Sequence, residues 1–225
     1  MSSKANILGR LKSATIESSK NSELTPNLTS ELSACSSTFG LEQFQQQLEL
    51  SHAEVINLDN PNQIEAKLKS LIKDNAWKHG VWSSSTNPSR FLDVERQLSK
   101  SEILRQVDGS ESKADYFHHF DFGLSFSEAA IAETGTIVLH PGTNESRSLS
   151  LIPPVHVVIV CLKQLHHNFE QFMLDFEQQG QGRPMPSNLI LVSGPSKTAD
   201  IQQTLAYGAH GPQRLIVITI AALED

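Results

Sequence analysis

At 225 residues the chain is long enough to bury the core of a single α/β domain with a short additional segment. Its 18 basic and 25 acidic residues leave a net charge of −7, which excludes the basic excess of a dedicated nucleic-acid binder; no apolar run approaches the roughly 18 residues of a membrane span. Two cysteines, Cys35 and Cys161, are too few for an iron–sulfur cluster or a four-cysteine zinc site, and the lack of an apolar signal-like stretch between Met1 and Lys12 makes a cytoplasmic location the expectation.

Residues 1–38 are rich in Ser, Thr and Asn, and only Ile7, Leu8 and Leu11 can form an apolar turn. They read as a short helix and a flexible polar connector, followed by one domain over 39–225. Leu41, Phe44 and Leu48 recur at helical spacing, and Glu54 to Leu58 has the pattern of a brief strand. Asn60-Pro61 then supplies an N-cap and a first helical residue for a helix carrying Ile64, Leu68, Leu71 and Ile72 on one face. Trp77 to Trp82 reads as a second strand, and Ser89 to Val107 as a polar, helix-leaning stretch anchored by Phe91, Leu98 and Leu104.

The second half carries little charge and four compact apolar segments: Thr136 to Leu139, His156 to Leu162, Leu189 to Val192 and Leu215 to Ile220. Continuous β-branched runs of this kind suit parallel strands covered on both faces by crossover helices. One such helix is marked by Leu165, Phe169, Phe172, Met173 and Phe176, and a shorter one by Ile201 and Leu205 after Thr198. The expected fold is therefore α/β: a Rossmann-like, open, mostly parallel sheet with helices on both faces, binding ligands outside the carboxyl ends of its strands.

Three segments carry potential chemistry. At Ser193-Gly194-Pro195-Ser196-Lys197-Thr198 a strand ends in a glycine turn, and a helix starting at once would bring its amides, the hydroxyls and Lys197 together on a small carboxylate or phosphate. Ordinary N-capping by Ser196 or Thr198 with a solvated lysine explains the same residues, and the glycines of a Walker A loop are missing. At Gly208-Ala209-His210-Gly211-Pro212, glycines flank a histidine suited to be an acid, a base or an anion ligand, or else to cap a helix. At Ala129 to Leu139 a small-residue helix ending runs through Glu133-Thr134-Gly135-Thr136 into a strand. Gly135 can bring main chain against a ligand and Glu133 can act as base or nucleophile, although packing alone also accounts for them. Arg147 is a further candidate anion ligand, with a salt bridge to Glu145 as its alternative. Adjacent pairs such as His118-His119 and His166-His167 diverge on a strand or a helix, and no metal site is expected.

Ala132 to Thr136 (AETGT), Leu151 to His156 (LIPPVH), Ser193 to Ile201 (SGPSKTADI) and Gly208 to Pro212 (GAHGP) together resemble the lactate-utilization protein C family of LUD-domain proteins, over roughly residues 39–222. The resemblance implies a sheet related to the sugar-phosphate isomerase and CoA-transferase superfamily. It also implies an accessory role, with two iron–sulfur partner proteins, in oxidising L-lactate to pyruvate. The clusters would belong to the partners and this chain would carry no cofactor, in keeping with its two cysteines and the absence of a G-x-G-x-x-G fingerprint. The other expectation is a stand-alone isomerase, deaminase or CoA-transferase-like enzyme using Glu133 or His210, since CoA transferases use a glutamate near a glycine; shared architecture does not transfer mechanism.

Overall fold

A computed structural model describes residues 37–141, 147–179, 186–199, 205–207 and 210–220; the predicted amino-terminal helix, connector and Cys35 lie outside them. The chain opens with α1 (Ser37–Leu50), β1 (Glu54–Leu58), α2 (Gln63–Asp74), β2 (Gly80–Trp82), α3 (Pro88–Leu98) and β3 (Leu104–Gln106). It continues through α4 (Lys113–His118), β4 (Phe122–Phe126), β5 (Ala129–Ile131), β6 (Thr136–Leu139), α5 (Ser148–Leu151) and β7 (Val155–Cys161). After a 3₁₀ turn come β8 (Leu165–His166), α6 (Phe169–Gln179), β9 (Ile190–Val192), β10 (Lys197–Ala199), β11 (Leu205–Tyr207) and β12 (Arg214–Ile220).

Local chemistry explains several boundaries. The Asn60 side chain accepts the Asn62 amide at 2.8 Å, and the amides of Gln63 and Ile64 bond the carbonyls of Asn60 and Pro61, so Asn60-Pro61 forms a tight turn ahead of α2, whose N-cap is Asn62 and not the expected Asn60. Ser112 caps α4 reciprocally: its hydroxyl accepts the Asp115 amide while the Asp115 carboxylate accepts the Ser112 amide.

Six strands form a wholly parallel sheet in the order β1-β12-β7-β4-β2-β3. Its central strands are apolar throughout because both faces are covered. On one face Val157, Ile159, Ile216 and Ile218 pack with Ile64 and Leu68 of α2 and Phe91 and Val94 of α3. On the other, Val158, Val160 and Val217 pack with Phe44 and Leu48 of α1 and with Ile137 and Leu139 of β6, while Val81 meets Tyr116 of α4 and Leu149 of α5. Cys161 is a buried, free core thiol.

Four readings of the sequence need correction. Thr136 to Leu139 and Leu189 to Val192 do not join the parallel sheet; as β6 and β9 they pair antiparallel in a separate four-stranded sheet, β8-β5-β6-β9. β6 is buried on both faces because it lies between the large sheet and α6, whose Phe172 packs on Val138 and Ile131, an arrangement that leaves the same apolar run as a layer of helices on each side; β9 is only half-buried, with Leu191 exposed. Ala129 to Ile131 is a strand, and Glu133-Thr134-Gly135 is the turn of a β5–β6 hairpin; complete burial overrides the helical propensity of its alanines. Leu104 anchors an edge strand, not the end of a helix. Among the described residues no helix starts after Val192: Lys197–Ala199 pairs antiparallel with Leu205–Tyr207, so Leu205 is in a strand, and Ile201 lies outside the described residues.

Candidate functional site

The segment after β9 and the turn before β12 meet directly. The Ser196 amide donates to the Pro212 carbonyl at 2.8 Å, and a Cβ on Gly211 would lie 3.0 Å from that of Ser196, so glycine permits the approach. A Cβ on Gly194 would come within 2.8 Å of the Ser51 carbonyl at the end of α1. These contacts wall a cavity of about 200 Å³ with Ser150 and Leu151 of α5, His156, Ile190 to Gly194, Ser196, His210 to Pro212 and Leu215.

The cavity runs from a wet rim to a dry floor. Leu191, Ser193 and His210 are exposed, whereas Ser150, His156 and Leu215 are buried. His156 Nε2 lies 3.1 Å from Ser125 Oγ, itself buried, and Nδ1 has no protein partner. Full burial pushes the imidazole down to about 3, so it is neutral at ordinary pH. Neither Lys nor Arg is among the described lining residues; the polar groups the lining offers are hydroxyls, backbone and imidazoles.

His156 and Leu215 are the second residues of β7 and β12 and pair in register. The cavity therefore opens at the amino ends of the parallel strands, contrary to the expected carboxyl-end placement.

Of the predicted residues, Ser193, Gly194, Ser196 and His210 line the cavity, and Pro195 lies half-buried in the turn between. Thr136 Oγ1 stands 2.8 Å from Ser193 Oγ and 2.7 Å from Thr134 Oγ1, a chain of three hydroxyls joining the β5–β6 hairpin to the rim. Gly135 sits at φ +60°, where a Cβ would meet Gln47 and the Leu48 amide within 2.8 Å; its close approach is to α1 and not to a ligand. Glu133 is exposed on the hairpin turn, and Arg147 is exposed ahead of α5; neither lines the cavity. Lys197 is exposed in β10 and Thr198 follows it in the same strand, so a cradle built on helix amides and Lys197 does not form. Glu145 lies outside the described residues. Among those described, no group of three or more His, Cys, Asp or Glu side chains could hold a metal ion.

Sequence reasoning did not single out His156 or Ser150 for a site. The available signal was one histidine inside a strand otherwise wholly apolar, directly after Pro153-Pro154.

The LUD domain profile matches residues 41–220. An uncharacterized protein of Neisseria meningitidis serogroup B is 44% identical over 153 residues, 68% of this chain and 61% of its own length. A lactate utilization protein C from Halalkalibacterium halodurans is 35% identical over 125 residues, 55% of this chain and 54% of that protein; one from a Geobacillus strain is 26% identical over 165 residues, 68% of each. The chain thus spans less than two thirds of the first two relatives. A crystal structure of a DUF162 family protein from Deinococcus radiodurans has the same fold, with a TM-score of 0.59 and 22% identity over 83% of this chain and 99% of that one. Because the profile match runs from α1 to the last residue of β12, it takes in every wall of the cavity, and the chain belongs to the LUD-domain family.

Proposed function

We propose that this chain serves lactate utilization as the cluster-free subunit of an iron–sulfur-dependent system oxidising L-lactate to pyruvate in the cytoplasm, alongside two iron–sulfur partner proteins. The observation that carries the reading is the convergence of segments distant in sequence (150–156, 190–196 and 210–215) on one cavity of about 200 Å³, in a chain whose relatives include proteins named lactate utilization protein C. Converting the hydroxy acid to the oxo acid removes two electrons and two protons. With two cysteines this chain cannot carry a cluster, so the electrons would pass to groups on the partners. Its own part is to hold a small carboxylate, with Ser193 and His210 at the rim and Ser150 and His156 below.

Deleting this gene alone should abolish growth on L-lactate while growth on pyruvate continues. Unimpaired growth on L-lactate in a strain without a paralogue would end the proposal. A second reading, a stand-alone isomerase, deaminase or CoA-transferase-like enzyme, draws on His210 at the cavity rim. It requires turnover by the purified chain that His210→Asn removes without unfolding the protein.

A further inference from the structure

A second cavity, of about 570 Å³, lies on the opposite face of the large sheet, where the last turns of α2 and α3 meet the start of β3. Its volume is in the range of small-molecule sites, and it shares no lining residue with the first. Local sequence builds it. Past the end of α2, Ala76 stands in the left-handed region at φ +53°. Its amide donates to the Lys73 carbonyl at 3.2 Å and the Trp77 amide to the Ile72 carbonyl at 3.0 Å, a helix ending that folds Trp77 back onto the core. The indole is then fixed by stacking on Phe122, ring centroids 4.6 Å apart. On the facing wall the Ser101 hydroxyl accepts the amides of Ile103 and Leu104, both at 3.3 Å.

The floor is apolar and the rim is cationic. Leu68, Ile72, Leu98 and Leu104 form the floor, with Trp77 and Ile103 beside them. Against two acids, Glu65 and Glu102, the walls set three lysines. Lys69 bonds Glu65 at 2.6 Å, whereas Lys73 and Lys100 are exposed and make no ion pair with the described residues. Lysines in a last helical turn commonly serve its open carbonyls, but here those carbonyls have other donors. Leu71 accepts from the Asn75 amide and side chain, Ile72 and Lys73 from the turn just described, and Glu95, Arg96, Gln97 and Leu98 from Ser99, the Lys100 amide and Ser101. Neither ammonium group is needed as a cap. The Lys69 bond, and after it the charge of Lys100, hold the Glu65 carboxyl below its usual range, so cations from both helix ends border the cavity.

We propose that this cavity binds an amphipathic carboxylate: an acyl or aryl acid whose apolar body lies on Trp77 and the leucines, and whose carboxylate sits at the rim with Lys73 and Lys100. The floor rewards apolar area removed from water, and the rim keeps the charged head hydrated and opposite two cations. A nucleotide or sugar would leave many polar groups unpaired, because the uncharged polar side chains among the described lining residues are Gln97 and Ser101, and the Ser101 hydroxyl is already engaged. Lactate and pyruvate have too little apolar surface to gain from such a floor. The site is therefore independent of the cavity beside His210 and of the lactate reading.

The test is calorimetric titration of the full chain with octanoate, phenylbutyrate, butyrate, octanol and octylammonium, while the two indole N–H resonances are followed on ¹⁵N-labelled protein. Octanoate or phenylbutyrate should bind saturably and shift Trp77, leaving Trp82, which packs edge-on against Phe126 at the far end of β4, in place; the tighter of the two acids names the body as acyl or aryl. Butyrate should bind at least tenfold more weakly, since each buried methylene is worth roughly fourfold, and octanol and octylammonium at least threefold more weakly than octanoate. Lys73→Glu combined with Lys100→Glu should weaken octanoate tenfold or more and strengthen octylammonium, an exchange of preference that an unfolded chain does not show. Saturating L-lactate should leave octanoate affinity unchanged. Failure of both acids to bind, an unmoved Trp77, equal binding of octanol, competition by L-lactate, or wild-type affinity in the doubly reversed chain overturns the proposal. So does a wild-type dimer that the double substitution splits, which would assign the cavity to a second copy of the chain. Should the double variant fail to fold, the comparison of octanoate with octanol and octylammonium on the wild-type chain decides.

Discussion

At the level of single residues, His156 ties the cavity to the stability of the fold. A free imidazole takes its proton near 6.5, whereas the buried ring takes one only at about 3. Between those values the unfolded chain binds a proton that the folded chain lacks, so stability falls as pH drops below 6.5 and the loss levels off below 3. At pH 5 the contribution lost is about 2 kcal/mol. Urea unfolding of the wild type and of His156→Gln at pH 7 and pH 5 should show the variant less sensitive to acid by that amount; parallel profiles would mean that the ring titrates in the folded state. Gly135 illustrates what a residue pattern can and cannot reveal. A glycine between two threonines marks a close backbone approach, but nothing in local spacing tells whether a ligand or another helix approaches. Here it is α1, and φ is +60°. Gly135→Ala should therefore destabilise the protein by roughly 2–4 kcal/mol, combining a left-handed backbone with overpacking, with the loss read from the denaturation midpoint.

Elements were legible where the signal was local and obscure where burial decided. The apolar face of α2 follows from neighbouring residues and is present, and Asn60 makes a local turn with Asn62, although the helix begins two residues later than its Asn-Pro signal, with Asn62 as N-cap. The β5–β6 hairpin was obscure because Ala-Ala-Ile-Ala favours a helix until the large sheet and α6 enclose it. Equally hidden was the tie between the start of α3 and the link from β4 to β5. Arg90 Nη1 donates to the Glu128 carboxylate at 3.3 Å and to the Glu128 carbonyl at 2.9 Å, while Thr86 Oγ1 donates to the other carboxylate oxygen at 2.9 Å. The paired side chains are only 15% and 13% exposed. Residues 38 apart in sequence leave no periodic trace of such a pair. Arg90→Met strands a mostly buried carboxylate and should cost about 3 kcal/mol. Adding Glu128→Gln should restore part of that loss, which a double-mutant cycle on denaturant midpoints would measure; independent, additive losses would show that the ion pair holds nothing together.

Across the whole molecule, the apolar runs of β7 and β12 announced a parallel sheet, and the two strands pair over seven residues at its centre. The division into two sheets was not readable, since a strand between a sheet and a helix is as apolar as one between two helices. That division places the cavity on unequal supports. Its floor, His156 and Leu215, belongs to two long, almost wholly buried strands of the large sheet, whereas one wall is β9, a three-residue edge strand of the four-stranded sheet with Leu191 51% exposed. Local opening follows burial and contact density, so hydrogen exchange should be slowest for the β7 and β12 amides, which open only with global unfolding, and roughly a hundredfold faster or more in β9 and in the β10–β11 pair. A ligand seated in the cavity adds contacts to the weaker wall. Saturating L-lactate should then slow exchange across residues 190–192 while leaving β7 at its global limit, apart from any rise in overall stability. Protection confined to α2 and α3, on the far face of the large sheet, would place the bound acid elsewhere.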